Sequence, residues 1–190
     1  MLIKECPSLH LIGISGSLRK DSYNSALLRA AQELLPAGMQ LEIADINAIP
    51  LYNGDVEIAH FSESVIALRE KIRKADGLLI ATPEYNYSMS GAIKNTIDWL
   101  SRPYNDPVLS GKPLAVMGAS LGMMGSARAQ YHLRQSAVFL NMHVLNKPEL
   151  FIAAANSKFD AALKLTDPPT RDVLAQLLQA FAVWVGQIQK

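Results

Sequence analysis

The sequence is poor in cysteine, in net charge and in long apolar segments. A single cysteine, Cys6, stands among 190 residues, which excludes an internal disulfide and a zinc site built from cysteines. The formal net charge of +1 provides no bulk attraction to nucleic acid or to an anionic membrane. No apolar run approaches the roughly 20 residues of a membrane-spanning helix, and no secretory leader is visible. These features predict a cytoplasmic protein with no nucleic-acid or membrane partner.

What the sequence does contain is hydrophobic periodicity along most of its length. Hydrophobic residues make up 49% and charged residues 18%, which is the composition of a globular protein. Apolar runs predict strands at residues 9–14, 41–44, 78–81, 114–117 and 144–152, the last of them interrupted by Pro148. Helical spacing predicts helices at residues 22–35, 64–74, 90–100 and 126–140, and a last helix from about residue 168. Residues 153–166 are the least regular, and we expect them to form a surface excursion.

This alternation of strands and helices predicts a parallel sheet with helices on both faces. A chain of this length fits a single domain, residues 1–190, with five strands in the order 2-1-3-4-5. The direction of the strand order then reverses between the first and third strands. Because open α/β sheets bind ligands at this switch point, the loops after those two strands are the expected ligand site.

The loop after the first strand is rich in glycine, serine and other hydrogen-bond donors. Hydroxyl groups at Ser15, Ser17 and Ser22, the Asn24 amide and the Arg19 guanidinium stand around the start of the next helix. A helix N-terminus with such donors suits a phosphate group. The lysine-bearing P-loop signature and the GxGxxG dinucleotide signature are both absent. A serine-rich turn with a capping serine remains the alternative interpretation.

The loop after the third strand is aromatic. Tyr85 and Tyr87 offer apolar surface to a flat ligand, while backbone groups of the loop can hydrogen-bond the edge of a heterocycle. Ordinary loop packing is the alternative for the two tyrosines. For Glu84 the alternatives are a solvated surface charge or a partner for a helix N-terminus. Trp99, further along the following helix, is predicted to lie in the core.

A short motif after the fourth strand competes with this interpretation. Residues 118–122 match G-x-S-x-G, the nucleophile elbow of α/β-hydrolases, with Ser120 in the central position. That fold needs an acidic residue and then a histidine after the serine. No histidine follows any acidic residue beyond Ser120, so the triad cannot be assembled in this order. The four histidines of the chain, His10, His60, His132 and His143, also lack the spacing of a metal site, and no metal is predicted.

Taken together, three motifs resemble the NADPH-dependent FMN reductase family. The first comprises residues 16–20 with 22–24, and the second residues 83–88 with Gly91, Lys94, Asn95, Asp98 and Trp99. The third, residues 126–131 with 133–135, is similar to the subgroup that reduces quinones, chromate and azo compounds. The resemblance spans roughly residues 11–150. It implies the flavodoxin-like fold, a three-layer sandwich around a five-stranded parallel sheet.

The resemblance also implies which residues bind FMN. The phosphate would lie on Ser15, Ser17, Arg19, Ser22 and Asn24, with Leu18 and Tyr23 among the cofactor-binding residues. The isoalloxazine ring would lie on Pro83, Glu84, Tyr85 and Asn86, with Ser120 on its other side. The chain departs from the family pattern at Asp21 and Ser126, where glycines are common, and at the bulky Met123 and Met124.

The implied activity is ping-pong hydride transfer from NADPH or NADH through FMN to an acceptor, with no catalytic side chain. Quinones are the expected acceptors, and free flavin, azo compounds and chromate are the alternatives. A flavodoxin-type electron carrier and an FMN-binding regulatory protein remain open, although flavodoxins are usually strongly acidic. The resemblance also implies a homodimer or homotetramer. Its apolar seam would contain Tyr87, Met89, Met123 and Met124, with polar contacts from Arg128, Tyr131 and Glu149.

Overall fold

Six strands form one parallel sheet in the computed structural model, which describes residues 8–59 and 61–189. They are β1 Leu9–Ser15, β2 Met39–Ala44, β3 Gly77–Ala81, β4 Pro113–Ala119, β5 His143–Val144 and β6 Leu150–Ile152. The order β2-β1-β3-β4-β5 confirms the predicted flavodoxin-like arrangement, and β6 pairs with the far end of β4. Two residues used in the sequence argument, Cys6 and His60, lie outside the described residues.

The described residues form six α-helices, of which the last follows the final strand. They are α1 Tyr23–Glu33, α2 Gly54–Ala59, α3 Glu63–Lys74, α4 Gly91–Leu100, α5 Ala127–Phe139 and α6 Pro168–Ile188. Capping side chains explain where three of them begin, because Ser22, Ser90 and Asp167 accept hydrogen bonds from the first free N–H groups of α1, α4 and α6. None of the helices in the described ranges combines the length and apolar character needed to cross a bilayer.

The sheet separates two hydrophobic cores, because neighbouring strand residues point to opposite faces. Leu11, Leu79 and Ala115 face the core that contains α1 and α6. Ile12 and Leu78 face the core that contains α3, α4 and α5. This alternation places helices on both faces and leaves the carboxyl ends of β1, β3 and β4 at one edge, where the loops that follow them meet.

Three predictions about the connections need correction. The fifth strand, predicted at residues 144–152 with an interruption at Pro148, is two separate short strands, because Pro148 has no N–H to donate to a ladder. Helix α2 was not predicted at all. The segment 153–166 is not merely a surface excursion, since Phe159 and Leu165 are buried in the core beside α1 and α6. The prediction for Trp99 is confirmed, because its side chain is buried.

Candidate functional site

A cavity of about 200 Å³ opens where the loops after β1, β3 and β4 meet. It has about 570 Å³ of space when its wide mouth is included. The residues that line it are Ser17, Arg19, Ser22, Tyr23, Asn24, Pro83, Glu84, Tyr85, Ala119, Ser120 and Leu121. The predicted site residues therefore lie together, apart from Ser15 and Leu18, which line a neighbouring cavity, and Asn86, which lies in a turn.

Gly16 brings the first two loops into direct contact. Its N–H donates to the carbonyl of Ala81 at 2.8 Å, and its own carbonyl accepts from the Ser90 hydroxyl at 2.6 Å. A Cβ atom at this position would lie 2.6 Å from the Ile93 side chain and 2.8 Å from the Pro83 ring. Only glycine permits so close an approach, so the loops form one cavity instead of two separate surfaces.

Residues 16–22, here called the serine loop, present a row of free donors. The backbone N–H groups of residues 18–23 have no acceptor in the part of the chain that the structure describes. The Ser17 hydroxyl and the Arg19 guanidinium likewise have no partner among residues 8–59 and 61–189. Unpaired N–H groups beside a helix N-terminus and an unpaired arginine form an anion-binding concavity. This arrangement fits the phosphate of FMN.

Two of the predicted phosphate ligands are engaged elsewhere through their side chains. The Asn24 amide donates to the Ala119 carbonyl at 3.0 Å and its oxygen accepts from the Ala119 N–H at 2.9 Å. The Ser15 hydroxyl accepts from Ser25 at 2.9 Å and donates to the Ser17 carbonyl at 3.3 Å. Asn24 thus ties the start of α1 to the end of β4, and Ser15 shapes the serine loop from beneath.

Residues 82–90, here called the tyrosine loop, contain a tight two-residue turn. Tyr85 and Ser88 exchange backbone hydrogen bonds of 3.0 Å each across Asn86 and Tyr87, whose φ angles are 50° and 68°. Positive φ at both central positions defines a type I′ turn, which bulky residues seldom adopt. The N–H groups of Glu84, Asn86 and Tyr87 have no acceptor in the described ranges, so the turn offers donors to a ligand.

Helix α5 holds the tyrosine loop in this shape. Glu84 accepts from the Arg128 backbone N–H at 3.1 Å and from its guanidinium at 2.6 Å. The same guanidinium lies 3.7 Å from the centre of the Tyr87 ring. One turn further along α5, His132 and the Ser88 hydroxyl are 2.9 Å apart. His132 is exposed. Of the two alternatives for Glu84, the helix N-terminal partner is the one observed.

Among the described residues, the Ser120 hydroxyl has no hydrogen bond to an acidic side chain or a histidine. Its hydroxyl accepts from the Gly122 N–H at 3.1 Å, within its own turn. The ring nitrogen of His132 pairs with Ser88 instead. The described residues also contain no group of three acidic, histidine or cysteine side chains that could hold a metal ion. Ser120 therefore belongs to the wall of the cavity.

The neighbouring cavity, also about 200 Å³, lies on the β2 side of the serine loop. Ser15 and Leu18 line it together with Asp45. Hydrogen bonds from the backbone N–H and the side-chain amide of Asn47 hold the pKa of Asp45 below its ordinary value. A carboxylate at this place repels a second anion, so the arrangement favours the cavity beside Arg19 for a phosphate.

Sequence reasoning missed Ala119 and Leu121 in the lining and the contact between Glu84 and Arg128. The two lining residues flank Ser120 and follow directly from its position after β4. The Glu84–Arg128 contact joins positions 44 residues apart and has no local signal in the sequence. Arg128 was named only as a possible contact across subunits.

Comparisons with known proteins agree with this geometry. Residues 9–157 match the family described as NADPH-dependent FMN reductase. An NAD(P)H-dependent FMN reductase of Pseudomonas aeruginosa is 55% identical over 181 residues, which cover 95% of this chain and 97% of that protein. A quinone reductase of Escherichia coli is 43% identical over 184 residues, covering 95% and 97%.

A solved structure gives the same result. A flavoenzyme NAD(P)H:(acceptor) oxidoreductase from Paracoccus denitrificans superimposes with a TM-score of 0.87 at 36% identity, covering 94% of this chain and 98% of that one. Fold and sequence thus lead to one assignment, and the free donors of the serine loop are consistent with it. The chain belongs to the NADPH-dependent FMN reductase family and is an oxidoreductase that uses FMN and NAD(P)H.

Proposed function

We propose that this enzyme is an NAD(P)H:quinone oxidoreductase that binds FMN in the cavity between the serine and tyrosine loops. The observation that carries the proposal is the row of unpaired N–H groups at residues 18–23, beside Arg19 and directly opposite the tyrosine loop. The phosphate would accept from these groups and from Ser17 and Ser22. Leu18 and Tyr23 would flank it, and Ser15 and Asn24 would act by holding the loop in place.

The flavin ring would lie between the tyrosine loop and the loop after β4. Pro83 and Tyr85 supply apolar surface from the first of these loops, and Ser120 and Leu121 line the cavity from the second. Donors for the polar edge of the ring are the free N–H groups of Glu84, Asn86 and Tyr87. A concave site of mixed character, with a few placed donors, is typical for a cofactor of this kind.

Bound FMN would supply the redox chemistry, by accepting a hydride and passing its electrons to an acceptor. The protein would orient the ring and stabilise the negative charge that reduction adds. Backbone donors near Asn86 suit that task, because preformed dipoles in a partly buried site need no reorganisation. We assign no catalytic acid or base, since the one carboxylate in the cavity wall, Glu84, is paired with Arg128.

The open mouth of the cavity supports a ping-pong order. A nicotinamide could stack on the exposed ring, leave, and be replaced at the same place by the acceptor. Quinones are favoured, because a quinone reductase of Escherichia coli and a 2-hydroxy-1,4-benzoquinone reductase of a Burkholderia species are 43% and 40% identical to this chain. Free flavin, azo compounds and chromate are further acceptors to test. We place the activity in the cytoplasm, where NAD(P)H is regenerated, and in one domain spanning residues 1–190.

We further propose a homodimer or homotetramer in which a neighbouring subunit covers part of the flavin. Within the described chain, several apolar side chains in the loops after β3 and β4 are exposed. Met123 is 85% exposed and Tyr87 68% exposed, and Leu121 and Met124 are exposed as well. Such a concentration of exposed apolar surface is characteristic of an interface. Sedimentation at several concentrations tests this part of the proposal.

Anaerobic spectroscopy tests the central proposal. The FMN-bound protein should lose its flavin absorbance when NADPH or NADH is added and recover it when a benzoquinone follows. Initial rates at several quinone concentrations should give parallel double-reciprocal lines, as a ping-pong order requires. A flavin that neither nucleotide reduces would contradict the proposal and favour an electron carrier or a regulatory protein. Intersecting lines would contradict only the ping-pong order.

A further inference from the structure

Glu84 is an acidic side chain in the wall of the proposed flavin cavity. Its side chain is only 8% exposed, although the loop that carries it lies at the surface. A carboxylate so far removed from water is unfavourable without a partner. Of the described residues that line this cavity, it is also the only acidic one. Its charge therefore affects any ligand that becomes negative there.

Arg128 cancels that charge from outside the cavity. Its guanidinium Nε donates to Glu84 at 2.6 Å, and its backbone N–H donates to the other carboxylate oxygen at 3.1 Å. Helix α5 has no cap of its own, because Ser126 lies in the left-handed region with φ 71° and makes no side-chain cap bond. The positive end of α5 and the guanidinium thus both act on Glu84.

Arg128 is held in this place by a second contact. Its guanidinium stacks on the Tyr87 ring at 3.7 Å, and the arginine side chain is about one-third exposed. No other cation approaches Glu84 within ion-pair distance in the described residues. Since Arg128 does not line the cavity, it can act on a bound cofactor only through Glu84 and through the field of the pair.

We propose that Arg128 is a positioning residue that sets the reduction potential of the bound flavin by neutralising Glu84. A hydride brings two electrons and one proton, so the reduced ring carries one more negative charge than the oxidised ring. An uncompensated carboxylate in the wall opposes that charge, and an uncompensated cation favours it. Because this role presupposes FMN in the cavity, it rests on the function proposed above.

Charge-neutral variants of the two partners give the decisive test. With Arg128→Gln, Glu84 stays charged, and the midpoint potential of bound FMN should fall. With Glu84→Gln, Arg128 stays charged, and the potential should rise. The double variant should return towards the wild-type value. We expect each single variant to change the ratio of affinities for oxidised and reduced FMN at least tenfold, which is about 30 mV for a two-electron couple.

The potentials are measured anaerobically against reference dyes, together with the FMN dissociation constant and the circular dichroism spectrum of each variant. The measurements are repeated at pH 7.5 and pH 9. Glu42→Gln is a matched control, because it breaks an ion pair of the same 2.6 Å length, with Lys71, that does not line the cavity. It should leave the potential unchanged.

Shifts of the midpoint potential in opposite directions in the two single variants would support the proposal. A purely structural role would instead loosen the tyrosine loop in both variants and shift both potentials in the same direction. Potential shifts in the same direction, or no shift in either variant, would overturn the proposal. If Arg128→Gln does not fold, Glu84→Gln tests the proposal by itself, through the expected rise in potential. Arg128→Lys, which keeps the positive charge, should then have the wild-type potential. Arg19→Ala distinguishes a failure of the cavity assignment from a failure of the role proposed for Arg128. Unchanged FMN affinity there removes the cavity assignment itself, whereas weakened affinity without opposite shifts removes only the role of Arg128.

Discussion

The serine loop and the tyrosine loop face each other across one cavity but are built in different ways. The serine loop is held by local contacts, such as the Ser22 cap of α1 and the Ser15 hydroxyl beneath it, and has no residue in the left-handed region. The tyrosine loop contains two such residues, Asn86 and Tyr87, and is held from outside by α5. Apart from the Gly16 contacts with Ala81 and Ser90, the serine loop is therefore shaped by local contacts, whereas the tyrosine loop is held by a distant helix.

This difference has a functional counterpart. A phosphate needs a fixed set of donors, which a locally determined loop at a helix N-terminus provides. A ring whose charge changes during the reaction benefits from adjustable surroundings, and the tyrosine loop has an ion pair in its wall that substitution can tune. Substitutions that separate the two loops, that alter only the serine loop or that alter only the tyrosine loop should therefore differ in their effects on stability and FMN binding.

Gly16→Ala should have the largest effect, because it separates the two loops. The new Cβ would lie 2.6 Å from the Ile93 side chain and 2.8 Å from the Pro83 ring, both of them buried. We expect a loss of about 3 kcal/mol in the free energy of unfolding, measured by urea denaturation, and weaker FMN binding. Gly91→Ala is the matched control, since a Cβ there meets no atom within 4 Å. A Gly16→Ala protein as stable as the control would show that the loops do not depend on this contact.

Removal of FMN should expose the serine loop more than the tyrosine loop. At an FMN concentration 100 times the dissociation constant, we expect about 2.7 kcal/mol of added stability, lost when the cofactor is removed. Hydrogen exchange should show the greatest loss of protection at the amides of residues 18–23, which have no acceptor within the described protein. Equal changes at residues 86 and 87 would mean that the ring contributes as much local order as the phosphate.

Arg19→Ala tests the serine loop alone. The guanidinium has no partner in the described residues, so the free energy of unfolding should change by less than about 0.5 kcal/mol. Loss of a charge-assisted phosphate contact should weaken FMN binding at least tenfold in a fluorescence titration. Riboflavin, which lacks the phosphate, should bind the variant as it binds the wild type. Lys20→Ala removes a neighbouring exposed cation outside the cavity and should have little effect.

The two loops also differ in how much of them can be predicted from sequence. The position of both loops followed from the alternation of strands and helices, and the strand order followed from the parallel sheet. The free donors of the serine loop could be predicted, because glycine, hydroxyl groups and a helix start lie within a few residues of each other, but the contacts of Ser15 and Asn24 could not. The shape of the tyrosine loop was not, because positive φ at Tyr87 is stabilised by Arg128, which is distant in sequence.

The same limit explains the errors in the fold. Pro148 interrupts the predicted fifth strand, and the chain re-enters the sheet at Leu150 beside the far end of β4. Burial of Phe159 and Leu165 depends on their packing beside α1 and α6. Each of these features depends on partners distant in sequence, which hydrophobic periodicity does not reveal.

Substitution of Tyr87 should have the smallest effect and the most specific pattern. Tyr87→Ala keeps a side chain at φ 68° and loses the stack on Arg128, which costs about 0.5–1 kcal/mol. Tyr87→Gly loses the same stack but removes the left-handed strain of about 1 kcal/mol, which offsets the greater freedom of glycine in the unfolded chain. The glycine variant should therefore be at least as stable as the alanine variant in urea denaturation.

Tyr85 is the control for the expected order of stability at Tyr87, where glycine is at least as stable as alanine, because Tyr85 lies in the same loop with a negative φ. There the ordinary order should hold, and Tyr85→Gly should be less stable than Tyr85→Ala by about 0.5–1 kcal/mol. The two pairs together separate backbone strain from loss of an aromatic ring. If glycine is the less stable substitution at both positions, the turn carries no strain, and α5 would not be needed to hold the tyrosine loop in its shape.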